Sequence, residues 1–166
     1  MRLRPYIASR DYKYLQKWVN DERTHALWCA NMIPYPMTYE KFQEVLEKDS
    51  YDWGGCAFVA TEDDGKQCGF FVLAINELKD MGFLKFVIVD NELRGKGYGK
   101  EMITLILKYA FEIAGVSLIQ LNVFDINESA RRCYSSVGFM EDSIAEKAFI
   151  YKDESWGRCH MTIAKC

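Results

Sequence analysis

The segment Arg94-Gly95-Lys96-Gly97-Tyr98-Gly99-Lys100 is the densest concentration of chemical capacity in the chain. Three glycines alternate with other residues, between the apolar runs FLKFVIVD and MITLILKYAFEIAG. Glycine costs backbone entropy wherever it is fixed. The return is a backbone that can wrap closely around a bulky anion. A helix that opens here exposes unpaired N–H groups and a partial positive charge at its start. Arg94, Lys96 and Lys100 add full charges. The combination suits a phosphate, most naturally a pyrophosphate. Two familiar phosphate loops do not fit. A P-loop needs one more residue between Gly95 and Gly99, and Glu101 follows Lys100 where it needs Ser or Thr. The dinucleotide fingerprint G-x-G-x-x-G fails because its third glycine comes one residue early. What fits is R-x-x-G-x-G on Arg94, Gly97 and Gly99. Taken alone, that pattern leaves open a plain glycine-rich turn at a helix start.

A second constellation follows in LNVFDINESARRCYSSVGF, with Asn127, Ala130, Tyr134 and the closing Gly138-Phe139. The two motifs, in this order and separation, resemble the GNAT superfamily of N-acetyltransferases. The resemblance covers about residues 70–140, and the start of the chain resembles the branch containing the ribosomal-protein N-acetyltransferases. It implies acetyl-CoA as co-substrate and acetyl transfer to a primary amine: a protein or peptide N-terminus, or a small-molecule amine. It implies that Val87, Ile88 and Val89 offer backbone hydrogen bonds to the pantetheine arm. It further implies that Arg94, Gly95, Lys96, Gly97, Tyr98, Gly99 and Lys100 hold the pyrophosphate. Asn127 would bind the pantetheine side, and Tyr134 would be the catalytic hydroxyl near the sulfur. Simpler roles stay open residue by residue: strand core for Val87 and Val89, an N-cap for Asn127, helix core for Tyr134.

Transfer to an amine needs a neutral amine, a polarised thioester carbonyl and a leaving thiolate. Backbone N–H groups can polarise the carbonyl. A phenol at ~10 is a weak acid toward a thiolate at ~8.5, so a hydrogen bond from Tyr134 is a better role than full proton transfer, which is uphill by ~2 kcal/mol. The base is missing from its usual places. Asn122 stands where the Nα-acetylating branch keeps a glutamate, and FLKFVIV offers only Lys85. Glu77, Asp125 and Glu128 are the remaining candidates, acting through water. Without a base, proximity favours an amine of low pKa; an α-amine at ~8 is easier to deprotonate than a lysine at ~10.4 by ~3 kcal/mol. Trp28, Tyr35, Trp53, Phe83, Tyr151 and Trp156 are candidates to line an acceptor groove. A non-catalytic acyl-CoA-binding module and an unrelated nucleotide-binding α/β protein are the competing readings.

The elements that must position these residues follow from periodicity. Arg2–Ile7 alternates as a first strand. A helix beginning near Ser9 buries Tyr14, Leu15, Trp18 and Val19. A second starts after Thr38 and buries Phe42, Val45 and Leu46. Two strands joined by a turn at Asp64-Gly65 span 56–77. Another strand leads into the glycine loop. The next helix has a narrow polar stripe (Lys100, Thr104, Lys108, Glu112) and ends at Gly115, so it is largely buried. A strand over 116–124 and a helix ending at Gly138 come next. Strands at 147–153 and 159–165, with a turn at 154–157, close the chain. The order predicts one α/β domain over 1–166, a GNAT-like mixed, mostly antiparallel twisted sheet of about six to seven strands flanked by helices, with a central strand–helix–strand unit.

The 166 residues are 49% hydrophobic, which suits a single core. The net charge of −3, with no dense basic run, argues against nucleic acid. No apolar stretch is long enough to span a membrane, and the basic start lacks the apolar segment of a secretory signal. The six cysteines form no C-x-x-C, and with His25 and His160 give no metal-ligand spacing. Reduced thiols, a cytoplasmic location and a monomer or homodimer are the expectations.

Overall fold

In the computed structural model, which describes residues 1–165, the chain begins with β1 (Arg2–Pro5), α1 (Ala8–Trp18), α2 (Glu22–Cys29) and α3 (Tyr39–Trp53). It continues with β2 (Gly55–Thr61), β3 (Gln67–Asn76), β4 (Met81–Val89), α4 (Tyr98–Lys108) and β5 (Leu118–Phe124). α5 (Glu128–Ser136), β6 (Met140–Tyr151) and β7 (Glu154–Ala164) complete it. Cys166 lies outside the described residues. The strands form one sheet in the order β1-β2-β3-β4-β5-β7-β6. Only β4 and β5 run parallel; every other neighbouring pair is antiparallel.

Each face of the sheet has its own core. On one side α1 brings Tyr12, Leu15 and Trp18, α2 brings Cys29 and α3 brings Phe42 against Val59, Phe70 and Val72. On the other, α4 buries Met102, Ile103, Ile106 and Leu107 against Phe71, Leu73, Leu121 and Met161. Each such side chain is worth about 1.5–3 kcal/mol when fully buried. Those four leave α4 a narrow polar stripe, as its sequence predicts.

β4 carries a bulge. Val72 pairs with Lys85 and Phe70 with Ile88, so Phe86 and Val87 stand opposite Phe71 alone. Phe86 sits at φ +50°, an uncommon conformation for a bulky residue. The extra residue switches faces: Leu84 belongs to the α4 core, whereas Phe86 and Ile88 belong to the α1–α3 core.

Several sequence expectations need correction. Ser9 lies inside α1, whose N-cap is Ile7. The helix is tied back by Asp11, whose carboxylate accepts the Ile7 N–H at 2.8 Å. α2 is a separate helix, capped by Asp21, which accepts from Thr24 N at 2.9 Å. β6 begins at Met140, not 147, and the turn to β7 is at Lys152-Asp153. Gly157 lies within β7, where a Cβ would come within 2.6 Å of Asp125 Oδ2. That glycine marks a close approach inside a strand, not a turn. The Asp64-Gly65 turn, the Thr38 cap and the helix ends near Gly115 and Gly138 are where periodicity puts them.

Candidate functional site

β4 and β5 pair only from Met81–Leu84 to Leu118–Leu121. Beyond these four rungs they diverge. Lys85–Val89 bond only to β3, and Asn122–Phe124 only to β7. Two strand edges therefore face each other across a gap with main-chain groups unused on the inner side. The gap opens into a cleft of about 630 Å³. Val87, Ile88 and Val89 form one wall, and Asn122 and Val123 the other. The bulge at Phe86 bends β4 away from its parallel partner, which is the local cause of the divergence.

Arg94, Gly95, Gly97, Gly99 and Lys100 lie along the same cleft. Gly97 is the N-cap of α4 at φ +88°, and no side chain caps the helix. The first intrahelical acceptor is Gly97 O, which takes the Glu101 N–H at 3.0 Å. The N–H groups of Tyr98, Gly99 and Lys100 therefore have no intrahelical acceptor and are open to an anion. A Cβ on Gly95 or Gly97 would meet nothing in the protein within 4 Å. Space for a ligand, rather than packing, goes with these glycines. Gly99 differs: a Cβ there would lie 3.2 Å from Cys133 Sγ, so its absence lets α4 approach α5.

Two residues of the predicted phosphate set point elsewhere. Tyr98 directs its hydroxyl to Glu62 Oε1 at 2.6 Å, toward the β2–β3 hairpin. Only its main chain faces the cleft end of α4. The Lys96 side chain does not line the cleft, and its N–H is bonded to Leu93 O at 3.4 Å.

α5 contributes the far wall with Asn127, Cys133 and Tyr134. Asn127 Oδ1 accepts from Ser129 Oγ at 3.2 Å and Ala130 N at 3.3 Å, so the side chain caps α5 while bordering the cleft. Tyr134 is buried, its ring edge-on to Phe139. Burial, and secondarily the neighbouring Cys133, pushes its phenol far above the ordinary value. It is therefore a protonated hydrogen-bond donor.

None of the carboxylates considered as bases reaches this cleft. Glu77 is in the turn before β4, at the opposite end of that strand. Asp125 accepts from Ile126 N at 2.8 Å and lies against Gly157. Glu128 pairs with Arg132 at 3.3 Å. Among the described lining residues the ionised groups are cations: Lys85, Arg94, Lys100 and Arg132. Lys85 is a member of a buried ion pair with Asp49 of α3. The second oxygen of Asp49 is buried without a partner.

Of the six aromatic residues considered for the groove, Trp28 alone lines the cleft among the described residues. Its Nε1 is a buried donor with no partner there. Tyr151 and Trp156 stack on each other in a third small core with Ala26 and Phe124. Tyr35 is exposed beside His25, Trp53 is exposed at the end of α3, and Phe83 lies outside the cleft. Sequence reasoning missed Thr24 and Leu27, which α2 brings to the cleft with Trp28. The signal was Asp21 followed by Thr24, a capping pair that opens this helix.

Comparison with known proteins identifies the family and the fold. Residues 10–139 match the Acetyltransferase (GNAT) family. A prophage-derived uncharacterized N-acetyltransferase of Bacillus subtilis is 28% identical over 113 residues, 68% of this chain and 61% of that protein. The chain thus matches less than two thirds of that relative's length. A spermidine N(1)-acetyltransferase of Vibrio cholerae is 25% identical over 142 residues, 84% of this chain and 80% of that one. The crystal structure of the Vibrio cholerae spermidine N-acetyltransferase with CoA and spermine superposes with a TM-score of 0.83, at 23% identity, covering 98% of this chain and 94% of that one. That likeness establishes the fold. The chain belongs to the GNAT acetyltransferase family: it is an acyltransferase, and its co-substrate is acetyl-CoA.

Proposed function

We propose that this acetyltransferase moves the acetyl group directly to a primary amine within a ternary complex, and that the amine is a peptide N-terminus or a small amine of low charge. The observation that supports the first part is the divergence of β4 from β5 beside an uncapped α4 N-terminus. Acetyl-CoA fits that gap as an interposed strand. Its pantetheine amides bond to the free main-chain edge of Val87, Ile88 and Val89. Its pyrophosphate lies on the α4 N-terminus between Arg94 and Lys100, with Gly97 leaving room. Asn127 borders the pantetheine. Tyr134 donates a hydrogen bond to the sulfur as negative charge develops on it.

The composition of the cleft supports the second part. It is lined by four cations and no carboxylate among the described residues. The carboxylates of neighbouring α2 and β7 are engaged: Glu22 with Lys152 at 2.8 Å, Glu154 with Arg23 at 3.0 Å, and Asp21 in its cap. A polycation would find no lining carboxylate among the described residues to receive its extra charges; of the four cations, Lys85 is matched by Asp49 and Arg132 by Glu128, and Arg94 and Lys100 face the pyrophosphate. Similarity to the spermidine enzyme over most of the chain favours a second reading, polyamine acetylation. A thiol-release assay with acetyl-CoA and a panel of peptide N-termini, aminoglycosides, spermidine and spermine decides between them. We expect kcat/KM for the best peptide or small monoamine to exceed that for spermidine by about tenfold or more, a difference of about 1.4 kcal/mol. A preference for spermidine would replace this reading with the polyamine one.

A further inference from the structure

An acceptor has to be recognised as well as acetylated, and the apex of the cleft, where the strands part, holds a side chain suited to that. Leu84 and Leu121 are the last rung between β4 and β5. The first residues past it are Lys85 and Asn122, one on each side of the opening, and both line the cleft. Side chains alternate along a strand. Leu84, Leu121 and Val123 belong to the α4 core with Tyr134, so Lys85 and Asn122 project from the other face of the sheet. Thr24, Leu27 and Trp28 of α2 line the cleft as well. With the pyrophosphate on the α4 N-terminus and the pantetheine running from Val89 to Val87, the acetyl end of the co-substrate reaches this apex.

Lys85 is held more firmly than a surface lysine. Its Nζ donates to Asp49 Oδ1 of α3. The Lys85 side chain is 14% exposed and that of Asp49 7%. Asp49 reaches this place because Gly55 of β2 has no side chain: a Cβ there would collide with Asp49 Oδ2. A buried ion pair is weak evidence for stability, since apolar residues of similar volume often do as well or better. This one fixes a cation in the wall of the cleft. An ammonium carries three hydrogens. Asp49 takes one, and Lys85 donates to no other protein acceptor among the described residues. The remaining donors suit an oxygen of the acceptor molecule. Asp49 already balances the charge of Lys85, so a neutral carbonyl suits the pair better than a carboxylate, which would face Asp49 as well.

We propose that Lys85, held by Asp49, is a specificity-determining residue: it donates a hydrogen bond to a carbonyl or carboxylate oxygen on the carbon next to the one that bears the acceptor amine. The acceptor class is then the α-amino carbonyl, as in a peptide N-terminus or an amino acid, and a plain alkylamine is refused. The inference rests on the acetyl-transfer reading above and narrows it. The contact has a second effect. The same carbonyl lowers the basicity of its amine, from ~10.4 for a lysine side chain to ~8 for an α-amine. The acceptors that Lys85 selects are therefore those that need least help to lose a proton, in a cleft with no lining carboxylate among the described residues.

The test is thiol release with a tripeptide amide that has a free alanine N-terminus, the same compound with its first carbonyl replaced by CH(CF3), and free alanine. The fluorines keep the amine weakly basic without the oxygen, and rates are expressed per deprotonated amine. We expect the wild-type kcat/KM for the tripeptide to exceed that for the fluorinated analogue by about 10–100-fold, the worth of a hydrogen bond to a charged group. Lys85→Met should shrink that ratio by about tenfold or more. Because this change strands Asp49, Lys85→Met combined with Asp49→Asn is measured beside it, with melting temperature and acetyl-CoA affinity by calorimetry. The ratio should shrink in both. A lysine that only held the fold, or that polarised the thioester, would slow both substrates alike and leave the ratio unchanged. An unchanged ratio, a wild type that does not discriminate, or turnover confined to amines without such an oxygen would overturn the inference. The tripeptide against free alanine tells carbonyl from carboxylate. A wild type that binds acetyl-CoA but releases no thiol with any amine of the panel removes the transfer reading itself, and that result needs no variant.

Discussion

Tyr134 is buried with its ring edge-on to Phe139 and is among the residues that line the cleft. Because burial raises its pKa, handing a whole proton to a thiolate is harder than for a phenol in water, and donating a hydrogen bond is the role proposed for it. Such an interaction strengthens only as the C–S bond breaks. Tyr134→Phe should therefore lower kcat by about 100-fold and leave acetyl-CoA affinity within about twofold. Stopped-time thiol release and calorimetry on one preparation check both halves, and normal turnover would remove the phenol from the reaction. Lys85 and Asp49 make a different kind of claim. Both are buried, and removing one leaves the other charge without a partner. Asp49→Ala should cost about 3–5 kcal/mol. In a chain of this length that is a fall in melting temperature of about 6–20 °C, read by calorimetry.

At the scale of elements, the α4 N-terminus is tuned by one backbone angle. Gly97 at φ +88° turns the loop so that the first helical N–H groups face the cleft. Gly97→Ala strains that conformation and puts a methyl where the phosphates approach. It should weaken acetyl-CoA by about tenfold or more, near 1.4 kcal/mol. Unchanged affinity in a folded variant would sink the loop assignment. This loop, α4 and α5 were readable in the sequence because each carries its own local signal: glycine spacing, a narrow polar stripe, an Asn cap. Other features had none. α2 is short, and its burial depends on contacts with the distant β6–β7 hairpin: Arg23 bonds Glu154, and its guanidinium lies 5.2 Å from the Trp156 ring centre. The first half of β6 is an edge strand exposed on both faces, so it has no alternation to read. The bulge at Phe86 comes from pairing with β3, and nothing in FLKFVIV announces it.

Across the whole molecule, Asp11 links three parts of the fold: it takes two hydrogen bonds from Arg4 of β1, one from Gln67 of β3 and one from its own helix start. Burial alone would raise its pKa, but these donors outweigh it and the net shift is downward. The sign follows. A carboxylate with a depressed folded value stabilises the protein above its unfolded value of ~3.9, and that stability is lost as pH falls through the folded value. The melting temperature should fall below about pH 4. Asp11→Asn should start lower and lose less of its stability over that range, and an acid limb as steep as that of the wild type would refute the assignment. The parting of β4 and β5 beyond their four shared rungs has a broader consequence. It is a seam in the sheet, and in the proposed arrangement acetyl-CoA is the thread that closes it. A ligand that binds only the folded chain adds about 2.7 kcal/mol at a hundred times its dissociation constant. The population of opened chains then falls about a hundredfold, and with it the supply to proteases that act on the open form. The lifetime of this enzyme in a cell would rise and fall with the acetyl-CoA supply, so that a well-fed cell retains more of it than a starved one, with no change in synthesis.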